Sequence, residues 1–138
     1  MSTTFHHRLP IQLRFSDTDA IGHVNNSSYF TFFDLGKTRY ICTVLGRDVP
    51  ATEMGIVLAH AETDFLHPVF YTDDVSVLTR MESISKHSFT LMQQIVNNTT
   101  GVVHCTCRNV MVSVDSTTGR SKEVDTEMRE ALLRFEQM

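Results

Sequence analysis

Charge of one sign is not concentrated anywhere in this sequence. The 138 residues include 12 Lys and Arg and 16 Asp and Glu, which gives a formal net charge of −4. No block of basic residues occurs along the chain. Nucleic acids and anionic membrane surfaces attract clustered positive charge, so the composition argues against a nucleic-acid partner and against a membrane-surface role.

Long apolar runs are also missing. The chain has no stretch of about 18 apolar residues, the length that begins to span a bilayer. The segment Met1 to Arg8 contains no apolar core of the kind that a secretory signal has. We therefore expect neither a membrane span nor secretion.

Cysteine is sparse and odd in number, with Cys42, Cys105 and Cys107. The last two are separated by one residue, which puts both thiols on one face of a strand. A metal site would usually need a second ligand pair at matching spacing, and the sequence has none. We expect reduced core thiols in a cytoplasmic protein, without a metal site or a cofactor.

Neither an internal repeat nor a linker divides the chain. Its length favours a single domain over residues 1–138, and a hydrophobic fraction of 41% is enough for a core. Crossover helices do not alternate with the predicted strands, which argues against a doubly wound parallel sheet.

The alternation of apolar and polar residues near the start of the chain indicates a strand. Leu9, Ile11, Leu13 and Phe15 alternate with more polar residues. This period of two predicts a strand that is buried on one face. Pro10 cannot donate to a neighbouring strand, which favours an edge position or a strand start.

A long apolar helix follows this strand. We expect it to begin between Asn25 and Ser27, which are good capping residues, and to end at Gly46. It is apolar over most of its circumference, which is typical of a helix wrapped by other structure. Gly36 in its interior is poor for helix stability, so we interpret it as a point of close packing against a sheet.

The remainder predicts strands joined by hairpin-like turns and a short final helix. The apolar phase of the last strand slips by one residue, which predicts a bulge or a strong twist near Asn109. Asp125 precedes an amphipathic helix with Met128, Ala131 and Leu132 on one face. The result is an α+β fold with one main helix against a largely antiparallel sheet, whose later strands lie near residues 56–65, 75–82, 88–96 and 102–114.

The most chemically dense stretch lies between the first strand and the long helix, over Asp17–Asn26. Unpaired N–H groups and the dipole at a helix N-terminus favour negative charge, and such a site can stabilise an oxyanion. A neighbouring carboxylate can then act as nucleophile or general base. Asp, Asn and Gly are also common in turns and caps for purely local reasons, so a structural interpretation stays open at this point.

This stretch resembles the signature of the 4-hydroxybenzoyl-CoA thioesterase-like family of hot-dog proteins. The resemblance implies a curved, largely antiparallel sheet wrapped around one long central helix. It runs from about Leu9 to Val114 and weakens beyond Gly119, where the usual proline-rich ending is absent. The matching residues are Phe15, Asp17–Asp19, Gly22–Asn26 and Tyr29.

The resemblance implies an acyl-CoA thioesterase that releases a free acid and CoA. The second aspartate of the motif, Asp19, is then the catalytic one, as nucleophile or as base for water. A backbone N–H at or next to Asn26 would polarise the thioester carbonyl. We interpret Asp17 as structural, bonding the turn.

Further residues carry binding roles in this interpretation. His23 would line or shape the substrate pocket, and Asn25 would serve binding mainly by bracing the loop through its amide. Lys86, His87 and Ser88 lie where the family places residues near the CoA phosphates, although the same residues also suit an ordinary polar hairpin.

Asp34 is a rival acid, because some hot-dog thioesterases carry their acid on the helix. Lys37 stands three residues further on, so the two favour a solvated or interface ion pair.

Two other functions remain open. A hot-dog hydratase or dehydratase would need an Asp and a His separated by four residues, whereas Asp19 and His23 are separated by three. A non-catalytic acyl-thioester-binding module is the other alternative, and the intact Asp19 argues against it. The sequence does not fix the acyl group or its carrier.

We expect a homodimer or homotetramer, because a small one-sheet domain with a long last strand leaves an edge to be covered. The resemblance implies a site between subunits, with Asp19 from one chain and Lys86 to Ser88 from its neighbour.

Overall fold

The computed structural model describes residues 4–138, so the first three residues of the segment tested for a secretory signal lie outside the described residues. The strands are β1 (His7–Ile11), β2 (Ile56–Phe65), β3 (Val75–Ile84), β4 (Ser88–Asn97) and β5 (Val103–Ser113), and the helices are α1 (Asn26–Leu45) and α2 (Thr126–Phe135).

The strands form a single antiparallel sheet in the order β1-β3-β4-β5-β2. The register shifts within three of its strand pairs, including one between Leu58 and His60 of β2. Such bulges bend and twist a sheet, and α1 packs against its inner face. The predicted α+β hot-dog arrangement is therefore confirmed, as is the edge position of β1.

The core consists of two clusters along α1. The first half of α1 packs on the beginning of β3 and on β4 and β5. The second half packs on another part of the sheet and on α2. Burying such side chains contributes about 25 cal/mol per Å² of apolar surface. The first cluster includes Tyr29, Phe32, Phe33, Val75, Val77 and Ile95, and the second includes Tyr40, Ile41, Leu91, Met111, Met128 and Leu132.

Gly36 marks the closest approach of α1 to the sheet. A Cβ at this position would lie 2.6 Å from Val77 Cγ1 and 3.0 Å from Gln93 Nε2. Real Cβ atoms hardly ever come as near to another carbon as the first of these distances, so any larger residue would push the helix away. The prediction that Gly36 permits close packing is confirmed.

The expected helix boundaries are confirmed for both helices. Asn25 is the N-cap of α1, and Gly46 ends it in the left-handed conformation, with φ of 73°. Asp125 occupies the N-cap position of α2, whose Met128 and Leu132 are buried. Beyond α2, the buried Glu136 carboxylate accepts hydrogen bonds from the Tyr40 hydroxyl and the Met81 N–H, which ties the C-terminus to the core.

The first strand is shorter than its alternation predicts. β1 ends at Ile11, and Phe15 lies in a 3₁₀ turn, Phe15–Asp17, with 80% of its surface exposed. The reason is local, because Arg14 and Asp17 close this turn through their own hydrogen bonds. Local hydrogen bonding of this turn thus outweighs the continuing alternation of apolar residues.

β5 itself has no bulge at Asn109; the irregularity next to this residue lies on the neighbouring strand, where the register shifts between Leu58 and His60 of β2, opposite Met111 and Val110. β5 keeps one inward face from Cys105 through Cys107, Asn109 and Met111, and pairs with β4 without a break over these residues. The apparent slip arises because Asn109 is a polar residue at a fully buried, inward position. It is satisfied there by donating to the Leu91 carbonyl and Gln93 Oε1.

Candidate active site

Asp17 holds the turn that precedes α1. Its carboxylate accepts hydrogen bonds from the Arg14 backbone N–H and from Arg14 Nη2, both at 2.9 Å. Its carbonyl accepts the Asn25 N–H at 2.7 Å. Burial acts to raise the pKa of Asp17, but the hydrogen bonds and charge of Arg14 outweigh it, so the pKa lies below its ordinary value. This side chain is buried and already occupied.

Asp19 begins a tight loop of different character. Its N–H donates to the His23 carbonyl at 2.8 Å, and its Oδ1 accepts the N–H groups of Ile21 at 3.0 Å and His23 at 3.2 Å. Gly22 permits the loop by taking φ of 83°. All hydrogen bonds that the described residues give to this carboxylate go to Oδ1, so Oδ2 is open to a substrate.

The N-terminus of α1 lies beside this loop. Asn25 Oδ1 accepts the N–H and the hydroxyl of Ser27, both at 3.0 Å, which makes Asn25 the cap of the helix. Asn26 is the first helical residue. Its N–H belongs to the first turn, whose N–H groups have no partner within the helix. The helix therefore presents a donor and the positive end of its dipole here.

The structure brings Asp19, His23 and Asn26 together in the wall of one cavity of about 400 Å³, which we call the Asp19 cavity. Its wall also contains Tyr29 and the segment Phe65–Pro68. Asn25 does not belong to the wall, because its amide faces the helix it caps. A carboxylate, a helix N-terminus and apolar side chains thus converge on one space, which suits a carbonyl compound.

Tyr29 was known from the sequence only as part of the motif. Its hydroxyl accepts the Val69 N–H at 3.2 Å, and its ring meets Phe65 edge-on at 5.3 Å. Burial raises the pKa of Tyr29. It stands one helical turn after Asn25, so helical spacing already placed it on the same side as the cap. No local sequence pattern indicates that Phe65–Pro68 lies here, because the position of this segment depends on which strands pair in the sheet.

Lys86, His87 and Ser88 lie far from Asp19 within one chain. They form the β3–β4 turn, whereas Asp19 follows β1 near the start of β3. A strand of this length separates the two ends by about 30 Å. Lys86 Nζ pairs with Glu123 Oε1 at 3.2 Å, and the Ser88 hydroxyl contacts that of Ser85 at 2.9 Å.

The rival acid Asp34 is paired, as expected. Its Oδ1 lies 3.1 Å from Lys37 Nζ, and its side chain is 70% exposed while that of Lys37 is 8% exposed. The pair is not simply solvated, because Lys37 Nζ also donates to the buried Asn109 Oδ1 at 3.1 Å. Both residues border a second cavity of about 180 Å³, separate from the Asp19 cavity.

The three thiols are buried and unpaired. Burial raises the pKa of Cys105 to about 12 and also raises the pKa of Cys107, so neither is an activated nucleophile. Over residues 4–138, His, Cys, Asp and Glu form no group of three that is suited to a metal ion. No helix in that part of the chain is long and apolar enough to cross a membrane.

Comparisons with known proteins agree with this architecture. Protein YsmA of Bacillus subtilis is 27% identical over 131 residues, which cover 95% of this chain and 88% of that protein. A thioesterase of Thermus thermophilus, solved in complex with coenzyme A and Zn, is 26% identical with a TM-score of 0.87, over 99% of this chain and 98% of its own.

A predicted thioesterase of Bacillus stearothermophilus is 29% identical with a TM-score of 0.83, covering 93% of this chain and 94% of that one. The sequence model of the Thioesterase-like superfamily matches residues 13–132, which include the whole of the Asp19 cavity. The chain therefore belongs to the Thioesterase-like superfamily.

Proposed function

We propose that this protein hydrolyses acyl-CoA thioesters to the free acid and CoA, with Asp19 as the catalytic carboxylate. Thioester hydrolysis is the activity of the family to which the chain belongs. The similar Thermus thioesterase was solved with coenzyme A, which supports CoA as the carrier. The observation that carries the proposal is that Asp19 and the N-terminus of α1 border the same cavity.

The helix N-terminus supplies the electrophilic half of the mechanism. A thioester carbonyl oxygen directed at the Asn26 N–H would gain negative charge as the carbon is attacked. Both the hydrogen bond and the helix dipole stabilise that charge more strongly in the transition state than in the substrate. Asn25 contributes indirectly, because its cap fixes where the first N–H groups point.

Asp19 supplies the other half, and two routes fit its geometry. Oδ2 can attack the carbonyl carbon, expelling CoA as a thiolate and leaving an aspartyl–acyl anhydride that water then hydrolyses. Alternatively, it can take a proton from a water that attacks directly. In either route the Ile21 and His23 N–H groups hold Oδ1 and so orient the free oxygen.

His23 borders the cavity without a charged partner among the described residues. Its ring packs edge-on against Phe70 with centroids 4.9 Å apart, and its backbone carbonyl fixes the Asp19 N–H. These contacts favour a role in shaping the pocket over a role in proton transfer.

The outer edge of β2 supports a homo-oligomer. Over residues 4–138, the ten-residue β2 pairs with β5 along one side and leaves its other side open, whereas the long last strand β5 is covered on both sides by β4 and β2. Val57, Leu58 and Phe65 are 47%, 44% and 45% exposed, and a long unpaired edge with exposed apolar side chains is normally covered. We infer that two copies pair antiparallel through β2, with both α1 helices on the same face of the joined sheet.

This pairing would also place Lys86 to Ser88 usefully. In a two-fold antiparallel pair, the Phe65 end of one β2 lies beside the Ile56 end of the other. The Asp19 cavity is at the Phe65 end, and the β3–β4 turn lies at the Ile56 end of the partner, about 10 Å further along the sheet. The partner's turn could then contact the CoA phosphates, because a Lys ammonium and a Ser hydroxyl both donate hydrogen bonds to phosphate oxygens.

The deciding experiment measures thiol release from short, long and aromatic acyl-CoAs by the wild-type protein, Asp19→Asn, the rival Asp34→Asn and the matched control Asp48→Asn, whose exposed carboxylate borders neither cavity. We expect Asp19→Asn to lose about 10²-fold or more in kcat with little change in KM. Asp34→Asn should keep a larger fraction of the wild-type kcat than Asp19→Asn does. Near wild-type kcat in Asp19→Asn, or binding of acyl-CoA by wild type without any thiol release, would refute the mechanism; the latter result would favour a non-catalytic binding module.

A further inference from the structure

The second cavity lies between α1 and the beginning of β2, and we call it the Lys37 cavity. It has a volume of about 180 Å³. Apolar side chains such as Ile41, Met54 and Met111 form most of its wall, and Asp34 and Lys37 form a polar part. A small, mostly apolar space with a few fixed polar groups is typical of a ligand subsite.

The ammonium of Lys37 is held rigidly in this wall. Lys37 is 7% exposed, and Nζ lies 3.1 Å from Asn109 Oδ1 and 3.1 Å from Asp34 Oδ1. Asn109 cannot move, because its amide also donates to Leu91 and Gln93 within the core. A lysine has three N–H donors, and these two oxygens take two of them. One donor remains for an acceptor inside the cavity.

The position of this cavity matters only in the dimer, so this inference rests on the proposed function. The Lys37 cavity borders Ile56 and Leu58 at the start of β2, and the Asp19 cavity borders Phe65 at its end. Within one chain the two cavities lie at opposite ends of the strand. A two-fold antiparallel pair of β2 strands brings the Lys37 cavity of one protomer beside the Asp19 cavity of its partner, on the same face of the sheet.

We propose that the Lys37 cavity receives the acyl chain of the thioester bound at the partner's Asp19 cavity, and that it selects short acyl groups with a neutral oxygen near the far end. A hydroxyl or keto oxygen would accept the remaining N–H of Lys37. Lys37 is thus the residue that determines this specificity.

Volume limits the length of the acyl group. An apolar cavity of about 150 Å³ accommodates a benzene molecule, and the Lys37 cavity has about 180 Å³. It therefore has room for roughly six carbon atoms. A twelve-carbon acyl chain would need about twice this space, so it would have to leave part of its apolar surface outside the Lys37 cavity.

The charges of Asp34 and Lys37 determine which kind of terminal group on the acyl chain the cavity favours. The Asp34 carboxylate lies 3.1 Å from the ammonium and already balances its charge, so an acyl group that ends in a carboxylate would bring an uncompensated negative charge to a neutral pair. A plain methyl end would leave the ammonium facing hydrocarbon, which costs part of its hydration without any replacement. A neutral acceptor avoids both penalties.

The first test compares hexanoyl-CoA, 6-hydroxyhexanoyl-CoA, adipoyl-CoA and dodecanoyl-CoA as substrates of the wild-type protein. We expect kcat/KM for 6-hydroxyhexanoyl-CoA to exceed that for hexanoyl-CoA by about tenfold, since one hydrogen bond to a charged group is gained. Adipoyl-CoA and dodecanoyl-CoA should both be poorer than 6-hydroxyhexanoyl-CoA. A preference for dodecanoyl-CoA or for adipoyl-CoA would overturn the proposal.

The second test removes the ammonium. Lys37→Met keeps a side chain of similar length without its charge, and we expect it to bring the ratio between 6-hydroxyhexanoyl-CoA and hexanoyl-CoA close to one. An unchanged ratio would contradict the assignment of Lys37.

The third test narrows the cavity from an exposed position, which does not threaten folding. Ala51 borders the Lys37 cavity, whereas its neighbour Thr52 does not, and both are exposed. Ala51→Leu should lower kcat/KM for both six-carbon substrates several-fold, while Thr52→Leu should not. Equal effects of the two substitutions would exclude the cavity as an acyl subsite.

Binding measured by calorimetry separates this inference from the proposed function. Asp19→Asn, alone and combined with Lys37→Met, is titrated with 6-hydroxyhexanoyl-CoA and hexanoyl-CoA. A binding preference for the hydroxyl compound that Lys37→Met abolishes supports the cavity even if wild type releases no thiol. Equal binding of both compounds overturns it even if thiol release is fast.

Discussion

Asp17 and Asp19 are two residues apart and have different surroundings. Asp17 is 3% exposed and is bonded to Arg14, whereas Asp19 is exposed and borders a cavity. A carboxylate whose oxygens are already occupied can stabilise a turn, but it cannot easily attack a substrate. We therefore expect Asp19 to carry the chemistry of this motif and Asp17 to hold its architecture.

Asp17→Asn should act on stability and only weakly on chemistry. The substitution removes the charge that accepts the Arg14 hydrogen bonds, and bonds to a buried charged group are worth about 1.5–3 kcal/mol. Because Arg14 is 65% exposed on its side chain, solvent screening brings the expected loss toward the lower end. Denaturant unfolding measures the loss, and kcat at a temperature where the variant is folded should stay within a few-fold of wild type. A folded but inactive Asp17→Asn would contradict this division.

His7 should make stability depend on pH near neutrality. Burial, and to a lesser degree the charge of Arg39, lower the pKa of His7 from its usual 6.5. The unfolded chain thus binds a proton at a higher pH than the folded one does. The contribution of His7 to the free energy of unfolding is therefore fully present above about pH 6.5. It is lost as the pH drops through the lowered pKa of the folded state.

The matched controls are His7→Gln and His6→Gln, since His6 is less buried than His7. Urea unfolding between pH 7.5 and 5 should show a smaller pH dependence for His7→Gln than for wild type or His6→Gln. If His6→Gln removed the dependence instead, the assignment to His7 would fail.

At the scale of elements, α1 is defined as much by its contact with the sheet as by its own sequence. Its capping residues set the ends, and Gly36 sets the distance to β3. A Cβ at Gly36 would come within 2.6 Å of Val77, so the residue that is worst for the helix is the one that permits the packing.

Gly36→Ala should destabilise the protein although it favours the helix. The gain in helix propensity is about 1 kcal/mol, while overpacking a close contact costs about 1–3 kcal/mol. We expect a net loss of up to about 2 kcal/mol in denaturant unfolding. Combining it with Val77→Ala, which removes the contacted methyl groups, should recover part of that loss. A double mutant whose losses simply add would indicate that the contact is not the cause.

At the scale of the whole molecule, the pairing proposed at the exposed edge of β2 would connect assembly with activity. The Asp19 cavity, the Lys37 cavity and the β3–β4 turn are separate within one chain, and only a second copy can join them. This makes the oligomer a condition for the proposed site.

Val57→Lys should dissociate the oligomer and lower activity. Val57 lies on the edge strand β2 and is 47% exposed, so a charge there would be buried or would face the partner. Val102→Lys is the control, since Val102 is 39% exposed but lies in the β4–β5 connection and not on β2. Light scattering gives the mass, and thiol release gives the activity. A wild-type protein that is a stable and active monomer would refute the dimer.

Lys86→Ala should raise KM for acyl-CoA more than it lowers kcat, because a phosphate contact binds substrate and transition state alike. An acyl thioester without the nucleotide should be almost unaffected. Glu123→Ala is the control, since it removes only the exposed partner of Lys86 and should not raise KM. Equal losses of Lys86→Ala on both substrates would assign it a structural role.

Much of the fold was available from the sequence because it depends on local physics. Periods of two and of 3.6, capping residues and glycine positions are properties of short segments. They indicated the helices with both caps, the succession of strands along the chain and the edge position of β1. The candidate carboxylate was also local, because the motif is contiguous.

The sequence by itself indicated which elements form, and its resemblance to a known family singled out Asp19 as the carboxylate beside the start of α1. Tertiary structure alone decided that Asn109 points inward, because a polar residue looks like a phase slip until Lys37 and Gln93, distant in the chain, are seen to satisfy it. It also decided that Phe65–Pro68 completes the Asp19 cavity and that Lys37 is buried in another one. These facts depend on which strands become neighbours, and strand pairing over dozens of residues leaves no periodic trace in any single segment.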